Sequence, residues 1–170
     1  MAAQARAAAA LALPVQLARG RPAEGYPFGW SVYEWLPGEN ANGTIGDLEQ
    51  AAVDLAGFVR ALRRVDTTGA HPRHPHGRGG PLAQHDVHVR RSVAGDPACD
   101  LQPAWNLFAG PSRARFRDEL AVDDASWLRG RGWALLQAVV ALPYYWDTNP
   151  GMVRQASHAV AQVLADRSPD

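Results

Sequence analysis

Apolar residues recur along the chain at helical spacing, and this pattern predicts a mainly helical protein. The clearest helix covers residues 47–64, where one stripe repeats every three or four positions. The stripe consists of Leu48, Ala51, Ala52, Leu55, Phe58, Val59 and Leu62. Thr44, followed three positions later by Asp47, resembles a capping box, although Glu or Gln is the usual partner.

Further helices are predicted in the second half of the chain. Asp96 followed by Pro97 resembles a helix N-cap with proline at the first helical position. Pro103 leaves two alternatives: a kink in one helix, or a short turn before a second helix through Ala104, Trp105 and Leu107. A short helix is predicted over residues 113–120.

Two longer helices follow. The first begins after Asp123 and Asp124 and should end at Pro143; its residues 133–142 are apolar nearly all round, so we expect it to be buried on most sides. Asn149 and Pro150 begin the last helix. Its apolar stripe consists of Met152, Val153, Ala156, Val160, Val163 and Leu164. The tail from Asp166 is polar, and we expect it to fray.

The N-terminal part has a different pattern. Residues 30–36 are aromatic and β-branched, which favours a strand that Pro37 and Gly38 end. A short strand near residues 11–17 would complete a hairpin. Residues 66–83 are rich in Gly, Pro and His and are predicted to form a loop, while residues 85–94 fit neither a helix nor a strand.

Composition limits the partners. The chain has 170 residues, enough for one domain, and its 17 basic residues, all arginine, balance 17 acidic ones. A neutral chain has no overall field to attract nucleic acid or an anionic membrane, so neither is an expected partner. Cys99 is the single cysteine, which excludes an internal disulfide and fits a cytoplasmic protein. No apolar run is long enough to span a bilayer, and the apolar residues 7–13 lack the cleavage site of a signal peptide.

Two groups of residues suggest metal or thiol chemistry. His71, His74 and His76 could bind zinc or nickel, but prolines separate them and no fourth ligand is evident, so an exposed loop is the favoured interpretation. Cys99 with His85 or His88 could form a nucleophilic pair. Nothing orients a base there, and packing is the favoured role of this cysteine.

Acidic and aromatic residues cluster towards the C-terminus. Asp118, Glu119, Asp123 and Asp124 are interpreted as helix caps and a solvated face, a role that does not exclude substrate binding. The aromatic residues of this region are predicted to lie in the core rather than to stack on a sugar. They are Trp127, Trp133, Tyr144, Tyr145 and Trp146.

One segment, GYPFGWSVYEWLPGE at residues 25–39, resembles the hinge strand of the aminoglycoside phosphotransferase family, which has a protein-kinase-like fold. Other segments resemble later parts of that family in the same order: residues 54–62, 78–83, 95–101, 105–108, 129–135 and 144–150. The resemblance implies a mainly α fold, a kinase-like C-terminal lobe fragment with a short N-terminal hinge strand or hairpin. It implies a single domain over 1–170, with a hinge region at 1–40 and a helical lobe at 41–170.

The family phosphorylates a hydroxyl of a small molecule with ATP and Mg²⁺. The resemblance implies that adenine would bind the hinge backbone at Glu34, Trp35 and Leu36. It also implies that Asp123 and Asp124 could receive the cationic amines of a substrate. Asp96 and Asp100 receive structural roles, Asp96 as a helix cap and Asp100 as a brace beneath the family's catalytic loop.

The family's catalytic groups are missing from this sequence. A His-Gly-Asp loop normally supplies the base and one metal ligand, and an Asp-Phe-Gly-like triplet supplies another; neither triplet is present, and the chain has no lysine. An internal deletion near residues 92–95 and the loss of most of the N-terminal lobe would explain this. We therefore predict no catalytic residue, no metal ligand, no tightly bound cofactor and an inactive protein. The alternatives are a non-catalytic small-molecule or protein binding module, and a deletion product without a function.

The deletion also predicts structural damage. Asp100 should be a buried carboxylate without donors, and Leu101 and Trp105 should lack packing partners. Apolar surface exposed in this way would favour self-association. Residues 83–95 are predicted to be the most mobile internal part.

Overall fold

The structure, a computed structural model, describes residues 13–39, 41, 43–64 and 96–166. Within these residues a two-stranded antiparallel hairpin precedes a group of helices, which confirms the predicted mainly α fold with an N-terminal hairpin. The elements are β1 (Gln16–Gly20), β2 (Trp30–Tyr33), α1 (Leu48–Arg63), a 3-10 helix (Pro97–Leu101), α2 (Pro103–Asn106), α3 (Gly110–Leu120), α4 (Asp124–Tyr145) and α5 (Pro150–Ala165).

A tight turn forms the tip of the hairpin. The Tyr26 amide donates to the Ala23 carbonyl at 2.9 Å, and Glu24 and Gly25 both have positive φ, at 49° and 82°. Two successive left-handed residues match the right-handed twist of a hairpin. Both strands lie close to their predicted places, but β2 is shorter than residues 30–36 and β1 begins later than residue 11.

Asp47, rather than Thr44, caps α1, and the helix with its two caps covers the predicted residues 47–64. The Asp47 carboxylate accepts from the amides of Glu49 at 3.0 Å and Gln50 at 2.9 Å. One carboxylate oxygen satisfies two amides that would otherwise lack partners, and this fixes the helix start. The face that α1 buries contains Ala52, Ala56 and Val59.

The C-terminal helices enclose the core. The fully buried large side chains are Trp105, Trp133, Phe108, Phe116 and Leu101. At Pro103 the second alternative is confirmed, because a 3-10 helix ends at Leu101 and α2 begins separately. The 3-10 helix approaches α4 closely at Gly130, where an added Cβ would lie 2.6 Å from the Cβ of Leu101.

Helix α4 departs from its prediction in two ways. It continues past Pro143 to Tyr145: the proline lies in the last turn, where it removes the hydrogen bond to the Val139 carbonyl without ending the helix. It is also not buried on most sides. Its buried residues are Trp127, Gly130, Trp133, Ala134 and Ala138, while Val139, Val140 and Tyr144 are exposed.

Leu101 and Trp105 have the packing partners that the deletion was expected to remove. Both are fully buried. The indole N–H of Trp105 donates to the Asp166 carboxylate at 2.8 Å. The centres of the Trp105 and Trp127 rings lie 4.7 Å apart. The prediction that Leu101 and Trp105 lack packing partners is therefore wrong, since α4 and the end of α5 cover them. Of the tail predicted to fray, only Asp166 lies within the described residues, and Trp105 and Arg113 hold it in place.

Several predictions lie outside the described residues. They concern the loop at 66–83, the segment 85–94, the deletion near 92–95, the mobility of 83–95 and the start of the chain through residue 12. His71, His74, His76, His85 and His88 lie there too.

Candidate functional site

Asp96 stands directly after the predicted deletion and is held by three donors. One oxygen accepts from the Ala98 amide at 3.0 Å; the other accepts from Arg129 Nε and from Trp133 Nε1, each at 3.2 Å. Only 11 % of the Asp96 side chain is exposed. Burial alone would raise the pKa of Asp96, but the hydrogen bonds and the charge of Arg129 outweigh it and lower the pKa below 3.8. Asp96 therefore joins the 3-10 helix to α4 as an anion.

Asp100 is neither deeply buried nor without a partner. Its carboxylate lies 3.8 Å from Arg63 Nε, and 35 % of the side chain is exposed. Arg63 also donates to the Pro97 carbonyl at 3.2 Å, so it ties the end of α1 to the 3-10 helix. The prediction of an unsatisfied buried carboxylate is wrong because Arg63 supplies a positive charge. Arg63 lies outside the apolar stripe of α1, and the sequence pattern gave no sign of this contact.

The hinge residues are exposed, and one of their amides is already bonded. Glu34 N donates to the Val15 carbonyl at 2.8 Å within the hairpin. Trp35 is 91 % exposed and Leu36 is 41 % exposed. In the described part of the chain, no backbone hydrogen bond involves the amides of Trp35 or Leu36. Adenine binding at this hinge stays a prediction, and these two amides are the groups that it could use.

The predicted substrate carboxylates lie at the start of α4. Asp123 caps the helix by accepting from the Ser126 amide and from its hydroxyl, both at 2.8 Å. These hydrogen bonds lower the pKa of Asp123. Asp124 forms an ion pair with Arg117 and remains 91 % exposed. A cationic substrate would have to compete with Arg117 for Asp124, and a substrate role for the two carboxylates stays a prediction.

The other acidic residues nearby stabilise helix packing. Glu119 forms ion pairs with Arg60 at 3.1 Å and with Arg115 at 2.8 Å, and Arg60 also donates to the Glu119 carbonyl. The contacts of Arg60 join α1 to α3, and the pair with Arg115 lies within α3. Three members of the acidic cluster are thus engaged, Glu119 and Asp124 by arginines and Asp123 as a helix cap, while Asp118 is exposed.

Only some of the aromatic residues lie in the core. The core prediction is confirmed for Trp127 and Trp133, which are 8 % and 2 % exposed. It is wrong for Tyr144 and Trp146, which are 74 % and 64 % exposed. Tyr145 is partly buried and packs edge-on against Tyr144, with ring centres 4.7 Å apart.

An open cleft of about 320 Å³ lies beside α2 and α5. Its lining consists of Gly43, Asn106, Leu107, Gly151, Arg154, Gln155 and His158. Among the described residues that line it there is no acidic side chain, whereas Asn106, Gln155, Arg154 and His158 can all donate hydrogen bonds. The sequence reasoning missed this cleft; the only signal was the placement of Arg154 and His158 one helical turn apart.

Metal and thiol chemistry receive no support from these residues. Within the described ranges, no group of three or more His, Cys, Asp and Glu side chains is placed to hold a metal ion. Cys99, the single cysteine, is partly buried and packs against the core. Among the helices of the described segments, none combines the length and the apolar character needed to cross a membrane.

Comparison with known proteins defines the class of this chain. Residues 1–92 match the phosphotransferase enzyme family (APH), which is more than half of the 170 residues. The chain therefore belongs to this kinase-like phosphotransferase family, and the family resemblance seen at the hinge and in α1 is confirmed. No curated protein and no solved structure matches the chain. The resemblance of residues 95–150 lies beyond the matched range and stays a prediction.

Proposed function

We propose that this chain is a phosphotransferase-family protein that does not transfer phosphoryl groups. The observation that carries the proposal is the sequence itself, which has no lysine, no His-Gly-Asp triplet and no Asp-Phe-Gly triplet. Phosphoryl transfer depends on positive groups at the phosphates, carboxylate-bound Mg²⁺ and a positioned base. These groups act as a unit, so losing several of them removes most of the rate enhancement.

The surroundings of Asp96 support this proposal. Asp96 is the first described carboxylate after the predicted deletion, so it is the obvious substitute for a lost metal ligand. Both of its oxygens already accept hydrogen bonds, from Ala98 N, Arg129 and Trp133. A Mg²⁺ ion would have to replace these donors, and the 3-10 helix would lose its cap.

The test is a transfer assay on the purified protein. It should be incubated with Mg-ATP and a panel of aminoglycosides and macrolides, with mass spectrometry to detect phosphorylated product and an assay of ADP release. We expect neither product nor ADP above a protein-free control. Asp96→Asn and Asp123→Asn, purified in the same way, are the matched controls. Product formed by the wild type and abolished in either variant would contradict the proposal, because a contaminant would be present in all three preparations.

A second candidate function is non-catalytic binding of a small anionic molecule in the cleft. The observation that favours it is the combination of Arg154, His158 and Asn106 around a space whose described lining contains no acidic side chain. In the described part of the chain, Arg154 has no carboxylate partner. A guanidinium in this setting binds carboxylate or phosphate groups readily.

Calorimetric titration with inorganic phosphate, ADP and ATP tests the second candidate. We expect binding that Arg154→Gln weakens by about tenfold, which corresponds to one lost charge-assisted contact. Arg131→Gln on α4 is the matched control, because Arg131 does not line the cleft. Equal effects of the two substitutions would indicate a general charge effect and reject the cleft as the site.

The proposed ligand class rests on membership of the phosphotransferase family. Aminoglycosides are the proposed ligand class at Asp123 and Asp124, because exposed carboxylates can bind cationic amines. A cytoplasmic location is proposed because Cys99 is the single cysteine, and a chain without an internal disulfide is typical of a reducing compartment.

A further inference from the structure

The outer edge of β2 has backbone groups that no described residue pairs with. The Glu34 amide points towards β1, where it donates to Val15. Because backbone groups alternate along an antiparallel strand, those of Trp30 and Val32 also point towards β1 and those of Ser31 and Tyr33 point away from it. No residue that the structure describes hydrogen-bonds to the outward groups of Ser31 and Tyr33.

This edge lacks the features that usually protect an edge strand. Residues Trp30–Tyr33 include no charge, proline or glycine and contain no bulge, whereas β1 has a register irregularity between Gln16 and Ala18. Charges, prolines and bulges are the usual devices that prevent pairing between chains. Of the two outer edges of the hairpin, that of β2 is therefore the one more open to pairing with another strand.

The hairpin also exposes much apolar surface. Its exposed large residues are Val15, Leu17, Tyr26, Phe28, Trp30, Val32, Tyr33, Trp35 and Leu36. A two-stranded hairpin is marginally stable by itself, and it gains stability when further strands extend the sheet. An open edge and exposed apolar faces in one segment are two independent signs of an interface.

We propose that two copies of this chain associate by antiparallel pairing of their β2 strands. The two-fold axis passes through Val32, so Ser31 of each copy lies opposite Tyr33 of the other. Those two residues carry the outward backbone groups, so each pair exchanges N–H to C=O hydrogen bonds in both directions. Trp30 and Val32 share one face of their strand, and the four-stranded sheet gains a continuous apolar row.

Charge and area are compatible with a second copy as the occupant. In this register Glu34 faces Trp30 of the other copy, so no like charges are directly opposed. The formal net charge is zero, so no long-range repulsion opposes association. Edge pairing brings only the side chains beside the seam into contact, chiefly Trp30, Val32 and Tyr33 of each copy, so the contact is smaller than the about 800 Å² per partner of a typical stable interface. The dimer is therefore weak and depends on concentration.

Sedimentation of the full chain from about 1 to about 300 μM tests the proposal, a range that spans weak dimers. We expect a reversible dimer. Ser31→Pro removes an outward N–H and leaves the bonds to β1 in place, and it should raise the dissociation constant at least about tenfold. Val140→Lys on α4 is the matched control, because it places a charge on the other exposed apolar surface. It should change the constant less than about twofold.

A disulfide test is independent of whether Ser31→Pro folds. Val32→Cys places one thiol at the two-fold axis opposite its copy, within the Cα separation that a disulfide allows. Mild oxidation should yield covalent dimers of Val32→Cys and none of Val140→Cys. A monomeric wild type at every concentration overturns the proposal, as does preferential cross-linking through Val140→Cys. An edge covered by residues 1–12 of the same chain would give the first of these results.

Discussion

Five of the six tryptophans lie in two regions, and their exposed fractions differ sharply between the helical region and the hairpin. In the helical region, Trp105, Trp127 and Trp133 are 0 %, 8 % and 2 % exposed. In the hairpin, Trp30 and Trp35 are 46 % and 91 % exposed. The sixth, Trp146, follows the end of α4 and is also exposed. An indole becomes buried where several elements surround it, and an acceptor for its N–H, as at Trp105 and Trp133, favours burial further.

The helical region satisfies both conditions. Trp105 donates to Asp166 and Trp133 donates to Asp96, and those carboxylates also interact with Arg113 and Arg129. In the hairpin, the ring of Trp30 lies across Gly20 of the neighbouring strand and remains half exposed on its other side. Stability should therefore reside in the helical region, and the hairpin should contribute little to it.

The largest expected change in the free energy of unfolding comes from replacing a tryptophan of the helical region, and replacing one of the hairpin provides the comparison. Trp105→Ala leaves a large cavity and removes the donor to Asp166, so it should lower the free energy of unfolding by about 3–5 kcal/mol. Trp35→Ala should change it by less than about 0.5 kcal/mol. Urea unfolding followed by circular dichroism measures both. If Trp105→Ala does not fold, Trp105→Phe, which keeps a ring and loses the N–H, provides the comparison. Similar losses at Trp105 and Trp35 would show that the hairpin belongs to the cooperative core.

Two glycines test how closely the core is packed. Gly130→Ala would place a methyl group 2.6 Å from the Cβ of Leu101 and should cost about 1–3 kcal/mol, as overpacking does. Gly57→Ala on α1 meets only the end of the Arg60 side chain, 4.0 Å away. It should stabilise the protein by up to about 1 kcal/mol, since alanine favours a helix interior. Thermal and urea unfolding measure the two changes, and a neutral Gly130→Ala would mean that the 3-10 helix can shift away from α4.

Asp96 makes part of the stability depend on pH. Its pKa in the folded protein is below the ordinary value of 3.8, so the charged carboxylate stabilises the fold above that pH. This contribution is lost as the pH falls from 3.8 through the lower folded pKa. Asp96→Asn should cost about 1–2 kcal/mol at pH 7, and the difference from the wild type should shrink across that acidic window.

Unfolding measured from pH 7 to pH 2 checks the prediction for Asp96. Asp147→Asn is the control, because the described residues give Asp147 no ion pair. A difference between wild type and Asp96→Asn that is constant with pH would exclude the proposed role of the charge.

The smallest global effect is expected at Gly20. An added Cβ would lie 2.0 Å from the Trp30 ring, so Gly20→Ala must displace that indole. The fluorescence of the hairpin tryptophans should change, whereas the free energy of unfolding should change by less than about 0.5 kcal/mol, because few core contacts are involved. A loss above about 1 kcal/mol would show that the hairpin and the helical region unfold together.

Local features of the fold could be predicted from the sequence, and some of the candidate site as well. The caps at Asp96, Asp123 and Asn149 were predicted because a carboxylate or amide reaches an amide two or three residues ahead. The family could be recognised from the hinge segment, which lies within the matched residues 1–92. The cleft could not be predicted, because its lining comes from positions between 43 and 158 that only folding brings together.

The sequence by itself determined helix positions, most caps, the hairpin and the absence of the family's catalytic triplets, since each depends on residues close together in the chain. The tertiary structure decided which apolar faces became buried. It placed Arg63 beside Asp100, Asp166 beneath Trp105 and Gly130 against Leu101. Burial and ion pairing depend on which elements meet in space, and contacts across tens of residues leave no periodic signal in one sequence.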